Sequence, residues 1–178
     1  MFPEKYIKDL ESSNRRRKYL SYILSGALFV TGFLVIGPGI HEISHIAWLE
    51  LHGCIYDFST RFSLFMGLSG RVAPACAMGQ SALVVFYSIG YFSTLLAGTL
   101  LDFYARSTPG KNVHVSFLSL GLLLSVLATI GVKGDLESLG KVINAPESFS
   151  IFAASFIFLG VASLSLMAVR ELEREESD

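Results

Sequence analysis

The chain has 178 residues, of which 52% are hydrophobic and only 16% charged, with a formal net charge of −1, and its mean hydropathy is +0.54. So apolar a composition excludes a disordered chain and argues against a water-soluble domain, where charged residues make up roughly 25%; the balanced charge gives no electrostatic reason to bind nucleic acid. The expectation is a single domain over residues 1–178 with an all-α fold, a polytopic membrane helical bundle of about four transmembrane helices.

In chain order, residues 1–18 form a basic amino-terminal segment that ends in Arg15-Arg16-Arg17-Lys18. This cluster lies far from the start and the following apolar run is too long for a cleaved signal peptide, so the run is read as a crossing. Four stretches reach the required length of about 20 mostly apolar residues: 19–37, 82–104, 113–132 and 149–169. The positive-inside rule puts the basic cluster, and with four crossings both termini, in the cytoplasm. Ten of the 14 Lys and Arg residues then fall inside and four outside. Residues 170–178 are a short charged tail.

The first apolar run continues past Gly37-Pro38-Gly39 as IHEISHIAWLEL and stops at His52-Gly53. Proline fits the first turn of a helix, so this run is read as a helix bent or restarted at Pro38. The outer segment 52–81 is the least helical stretch, and a strand or hairpin is expected around Phe58, Arg61, Ser63 and Phe65. It contains both cysteines, Cys54 and Cys76, which have no CxxC or zinc-finger spacing; one bridge between them requires an oxidising compartment. Aromatics of the second stretch, among them Phe86, Tyr87, Tyr91 and Phe92, are assigned to packing against helices or lipid, and Gly90 and Gly98 to close helix approach. Trp48 fits an interfacial anchor, and Asp102 and His114 fit the inner interface.

The string HEISH carries the chemistry. His41 and His45 lie one helical turn apart on one face, so both imidazoles can hold a single zinc ion. Glu42 beside them is placed to take a proton from a water that the metal acidifies. Ionisable groups are costly next to apolar membrane and usually mark a function there. A catalytic zinc needs a third protein ligand and a fourth position left for water. The third ligand is not expected from the metzincin spacing, because the positions three and six after His45 are Trp48 and Leu51. His52 is read as interfacial and Glu50 as lying off the metal-facing stripe. Asp135 in GVKGDLESLG is the preferred ligand, because the third stretch starts inside and brings it to the outer side, where HEISH also ends. Glu137 is the reserve, Asp57 a further option, and Asp135 can alternatively cap a short helix LESLGKVI.

With HEISH after an apolar helix, a glycine-bearing segment behind it and an aspartate at the edge of a later helix, the chain resembles an intramembrane zinc metalloprotease of the site-2 protease class over about residues 19–140. The resemblance implies cleavage of peptide bonds of membrane proteins at or within the bilayer. It also implies His41, His45 and Asp135 as zinc ligands and Glu42 as catalytic base. The sequence departs from that class in having Ile43-Ser44 where HELGH is typical. It also has no Asn or Pro before Gly134-Asp135-Leu136, and its length leaves no room for an appended PDZ or CBS domain. The expected partners are a membrane-protein or peptide substrate and the lipid bilayer; the oligomeric state stays open. The substrate is expected to be held extended by strand addition near Phe58–Phe65. Two alternatives stand beside this reading: another membrane zinc hydrolase with Glu137 as third ligand, and a non-catalytic metal-binding membrane protein.

Overall fold

The computed structural model describes residues 4–63, 67–107, 113–130, 135–145 and 160. The described chain is mostly helical. Helix α1 (Glu4–Thr31) runs through a π-helical turn at Gly32–Ile36 into α2 (Gly37–Leu51). A hairpin of β1 (Tyr56–Ser63) and β2 (Gly67–Pro74) follows, then α3 (Gln80–Ser107), α4 (Val113–Ile130) and the short α5 (Asp135–Val142). Two helical stretches, Arg15–Leu51 and Gln80–Ser107, are long and apolar enough to cross a membrane. Helix α4 matches the third expected stretch but ends at Ile130. The fourth, at 149–169, and the charged tail fall outside the described residues apart from Gly160.

Pro38 neither breaks nor restarts the first helix. It has no N–H to offer the preceding turn, and its ring crowds the carbonyl four residues back. The π turn just before it absorbs this: the Gly37 N–H donates to the Gly32 carbonyl, five residues away. One extra residue in a turn re-aims the rest of the helix, as such bulges do.

At its far end α2 stops in a Schellman motif. Gly53 has a φ of +61. The Gly53 N–H donates to Glu50 O at 3.1 Å and the Cys54 N–H to Leu49 O at 2.9 Å. The turn delivers Cys54 to Cys76, and the two are disulfide-bonded, so the bridge closes the base of the hairpin. The hairpin is antiparallel, with Tyr56 opposite Pro74 and Thr60 opposite Gly70. Directly opposite residues share a face. Tyr56 and Val72 on that face pack on the buried cluster of Leu49, Cys54 and Phe86, which also takes Trp48. The expected strand is therefore present; Phe65 lies outside the described residues.

The helices meet through small residues. A Cβ on Gly32 would come within 2.8 Å of the Leu118 carbonyl oxygen, and one on Gly121 would strike the backbone of Phe29. Glycine at both positions lets α1 and α4 touch backbone to backbone, the contact that drives helix association where no water is displaced. Gly98 does the same for the Leu123 side chain, as the sequence predicts. Among the described residues the buried serine hydroxyls are bonded: Ser119 to Gly98 O at 2.9 Å, Ser125 to Leu122 O at 2.6 Å, and Ser25 to His114 Nδ1 at 2.9 Å. His114 thus ties α4 to α1, and Asp102 pairs with Arg106 at 2.6 Å within α3. Because the Phe29 backbone cannot move aside as a side chain can, Gly121→Ala is expected to destabilise the fold by about 1–3 kcal/mol. Thermal unfolding in detergent micelles reads this directly, and an unchanged midpoint refutes the close α1–α4 contact.

Candidate metal centre

Helix α2 presents His41 and His45 on one face, and both rings are buried, at 5% and 2% exposure. Asp135, the first residue of α5, reaches the same point from 90 residues further along. Its Oδ2 lies 2.9 Å from His41 Nε2 and 2.9 Å from His45 Nε2, while the two Nε2 atoms are 3.2 Å apart. Among the described residues, these three side chains form a group able to hold a metal ion. The spacing suits one ion: tetrahedral zinc with ligand bonds of about 2.0–2.1 Å separates its ligand atoms by roughly 3.3 Å. The charge suits it too. Burial pushes the Asp135 carboxyl up, but hydrogen bonds from His41 and His45 outweigh it and hold the group at about 2, so it is anionic at neutral pH. Two imidazoles and a carboxylate make a donor set that a divalent cation neutralises. The Asp135 side chain remains 25% exposed, so the triangle is open on one side.

The rings are braced from α3. Tyr91 packs edge-on against His41 with centroids 4.9 Å apart, and Phe86 lies 4.6 Å from His45. Between these aromatics, Gly90 lies directly under His41: a Cβ there would fall 2.6 Å from ring atoms Cε1 and Nδ1. His45 Nδ1 and Trp48 Nε1 are buried with no hydrogen-bond partner among the described residues. A buried polar atom without a partner costs about 1–3 kcal/mol, and the few such atoms in a native fold call for an explanation.

Glu42 points about a quarter-turn away from the imidazole stripe, towards β2. Its carboxylate sits over Gly70, where a Cβ would fall within 2.9 Å of Oε2, and the Gly70 backbone hydrogen-bonds to it. The hairpin thus fixes the direction of this carboxylate beside the metal triangle.

The other candidates lie elsewhere. Glu137 is exposed and bonded to Lys141 at 2.7 Å, on the side of α5 away from the imidazoles. Asp57 is exposed on β1. Glu50 accepts the Tyr56 hydroxyl at 2.9 Å, and exposed His52 donates from Nδ1 to the Trp48 carbonyl at 2.8 Å. Asp135 does begin a short helix, but its carboxylate turns to the histidines. It is the first described residue of α5, and residues 131–134 between it and α4 lie outside the described residues. Four contributors were not assigned to the site from sequence: Gly70, Phe86, Gly90 and Tyr91. Only Gly70 carries a signal, since a lone glycine within a strand marks close backbone approach.

No protein-family model matches the chain, and no curated protein or solved structure matches it either. The reading of the site therefore rests on its residues and their geometry.

Proposed function

We propose that this chain is a membrane-embedded zinc metalloprotease that hydrolyses peptide bonds of membrane proteins at or within the bilayer. The observation that carries the reading is the convergence of His41 Nε2, His45 Nε2 and Asp135 Oδ2 beside a glutamate with a fixed direction. Zinc bound by these three donors would polarise the scissile carbonyl and make a water acidic enough to lose its proton near neutral pH. Glu42 takes that proton and delivers it to the leaving nitrogen, which balances the hydrolysis. Gly70 keeps the carboxylate aimed during both transfers, and the buried imidazoles exclude bulk water from the inner side.

A helical substrate hides its carbonyls in its own hydrogen bonds, so it must be unwound where it is cut. The hairpin beside Glu42 fits that need, because β1 has no second strand partner among the described residues and can accept an extended segment. The reading places the amino terminus in the cytoplasm. Arg15–Lys18 lie before the apolar part of the first helix, and the Cys54–Cys76 bridge lies beyond its other end, which suits an oxidising outer side. His41 follows Tyr19 by about 33 Å of helix, close to the thickness of the bilayer core.

Metal analysis of purified protein tests the reading. The parent is expected to carry stoichiometric zinc, His41→Ala and Asp135→Ala to lose it, and Glu137→Ala to keep it. Zinc retained by Asp135→Ala overturns the ligand set, and zinc lost only from Glu137→Ala moves the third ligand two residues along.

A further inference from the structure

Asp135 reaches the histidines from α5, described over Asp135–Val142, and a short helical span gains most of its stability from packing rather than from its own propensity. Its place therefore depends on what docks it. Apart from Asp135's own bonds to α2, α5 is tied to α3 by polar contacts near both of its ends. At its carboxyl end, Gln80 Nε2 donates to Val142 O at 2.8 Å. At its amino end, the Tyr91 hydroxyl is hydrogen-bonded to the backbone of Leu136, the residue after the ligand. Tyr91 and Leu136 also share a buried apolar cluster with Val126.

We infer that Tyr91 is a positioning residue, which sets Asp135 against His41 by holding the first turn of α5 with its hydroxyl while its ring braces the imidazole. The inference rests on the metal-centre reading above. Each half of the contact needs the other. The first N–H groups of a helix have no intrahelical acceptor, and a phenol buried among apolar side chains needs a hydrogen-bond partner. The Leu136 N–H and the Tyr91 hydroxyl satisfy one another, one residue from the carboxylate and with the ring 4.9 Å from that of His41. Together they fix the distance between donors contributed by two helices far apart in sequence.

Tyr91→Phe separates this role from plain packing, since it keeps the ring on His41 and removes only the hydroxyl. Titration of the metal-free full-length chain with cobalt(II) is the measurement. Tyr91→Phe is expected to bind cobalt about 10–100-fold more weakly than the parent, the usual cost of losing a group that orients a ligand. Its visible d–d spectrum is expected to shift towards that of Asp135→Asn, a change that lost packing stability alone would not produce. A parent-like affinity and spectrum in Tyr91→Phe overturn the positioning role. A parent that binds no cobalt overturns the metal centre itself, and the inference with it. Should Tyr91→Phe fail to fold, Gln80→Met cuts the other attachment of α5 and carries the same expectation: weaker cobalt binding supports docking from α3, and unchanged binding refutes it.

Discussion

Glu42→Gln is expected to reduce cleavage of a membrane substrate by roughly 100- to 10,000-fold, the range over which a positioned general base contributes. The amide has the same shape as the carboxylate and fits the same space over Gly70. It cannot accept the proton from water at neutral pH. Since Glu42 lies outside the triangle of His41, His45 and Asp135, zinc content is expected to match the parent. Both measurements belong in one preparation reconstituted into liposomes. Lost cleavage with retained zinc marks Glu42 as the base. Equal rates with zinc retained leave a metal-binding membrane protein whose glutamate has no chemical task.

Gly90→Ala is expected to cost nearly as much, although position 90 contributes no ligand. The new methyl would meet three atoms of the His41 ring at 2.6–2.7 Å, about 1 Å inside ordinary contact between carbon atoms. The ring has little room to retreat. It is 5% exposed, braced by Tyr91 and tied to Asp135 at 2.9 Å. A displacement of about 1 Å in a catalytic group can lower turnover by on the order of 100-fold. Zinc affinity is expected to fall with it, because a moved His41 no longer shares an ion with His45. Isothermal titration of the metal-free variant checks the affinity, and the liposome assay checks the rate. Parent values in both would mean that the imidazole lies elsewhere.

The metal triangle was legible in the sequence because helical geometry is so regular. Residues 41 and 45 share a face in any helix, and a carboxylate was sought where a later apolar run ended on the same side. The end of the third apolar run lies near Asp135 in sequence, and that nearness is what makes this aspartate legible as a partner for the two histidines. The hairpin was legible from its glycines and its mixed aromatic and polar residues, and the first three apolar runs were legible as helices, while the run at 149–169 lies outside the described residues apart from Gly160. The support around the triangle was not legible. Gly90 and Tyr91 sit in an apolar helix where glycine and tyrosine are ordinary packing residues, and only the fold shows that what they pack against is an imidazole. Nor does Pro38 reveal how the chain accommodates it, because a bend, a restart and a π turn all satisfy its missing N–H.

The widened turn at Gly32–Ile36 has a consequence for how this protein can change. Upstream of it the long helix leans on α4 where Gly121 meets the Phe29 backbone, and downstream it offers His41 to α3. Anchorage and chemistry are thereby put out of phase with each other. A single added or lost residue within that loose coil swings everything beyond it by about 100°, enough to turn the imidazole pair away from Asp135. The sense in which the histidine-bearing half faces its neighbours is thus written in a five-residue stretch that contributes none of the three converging side chains.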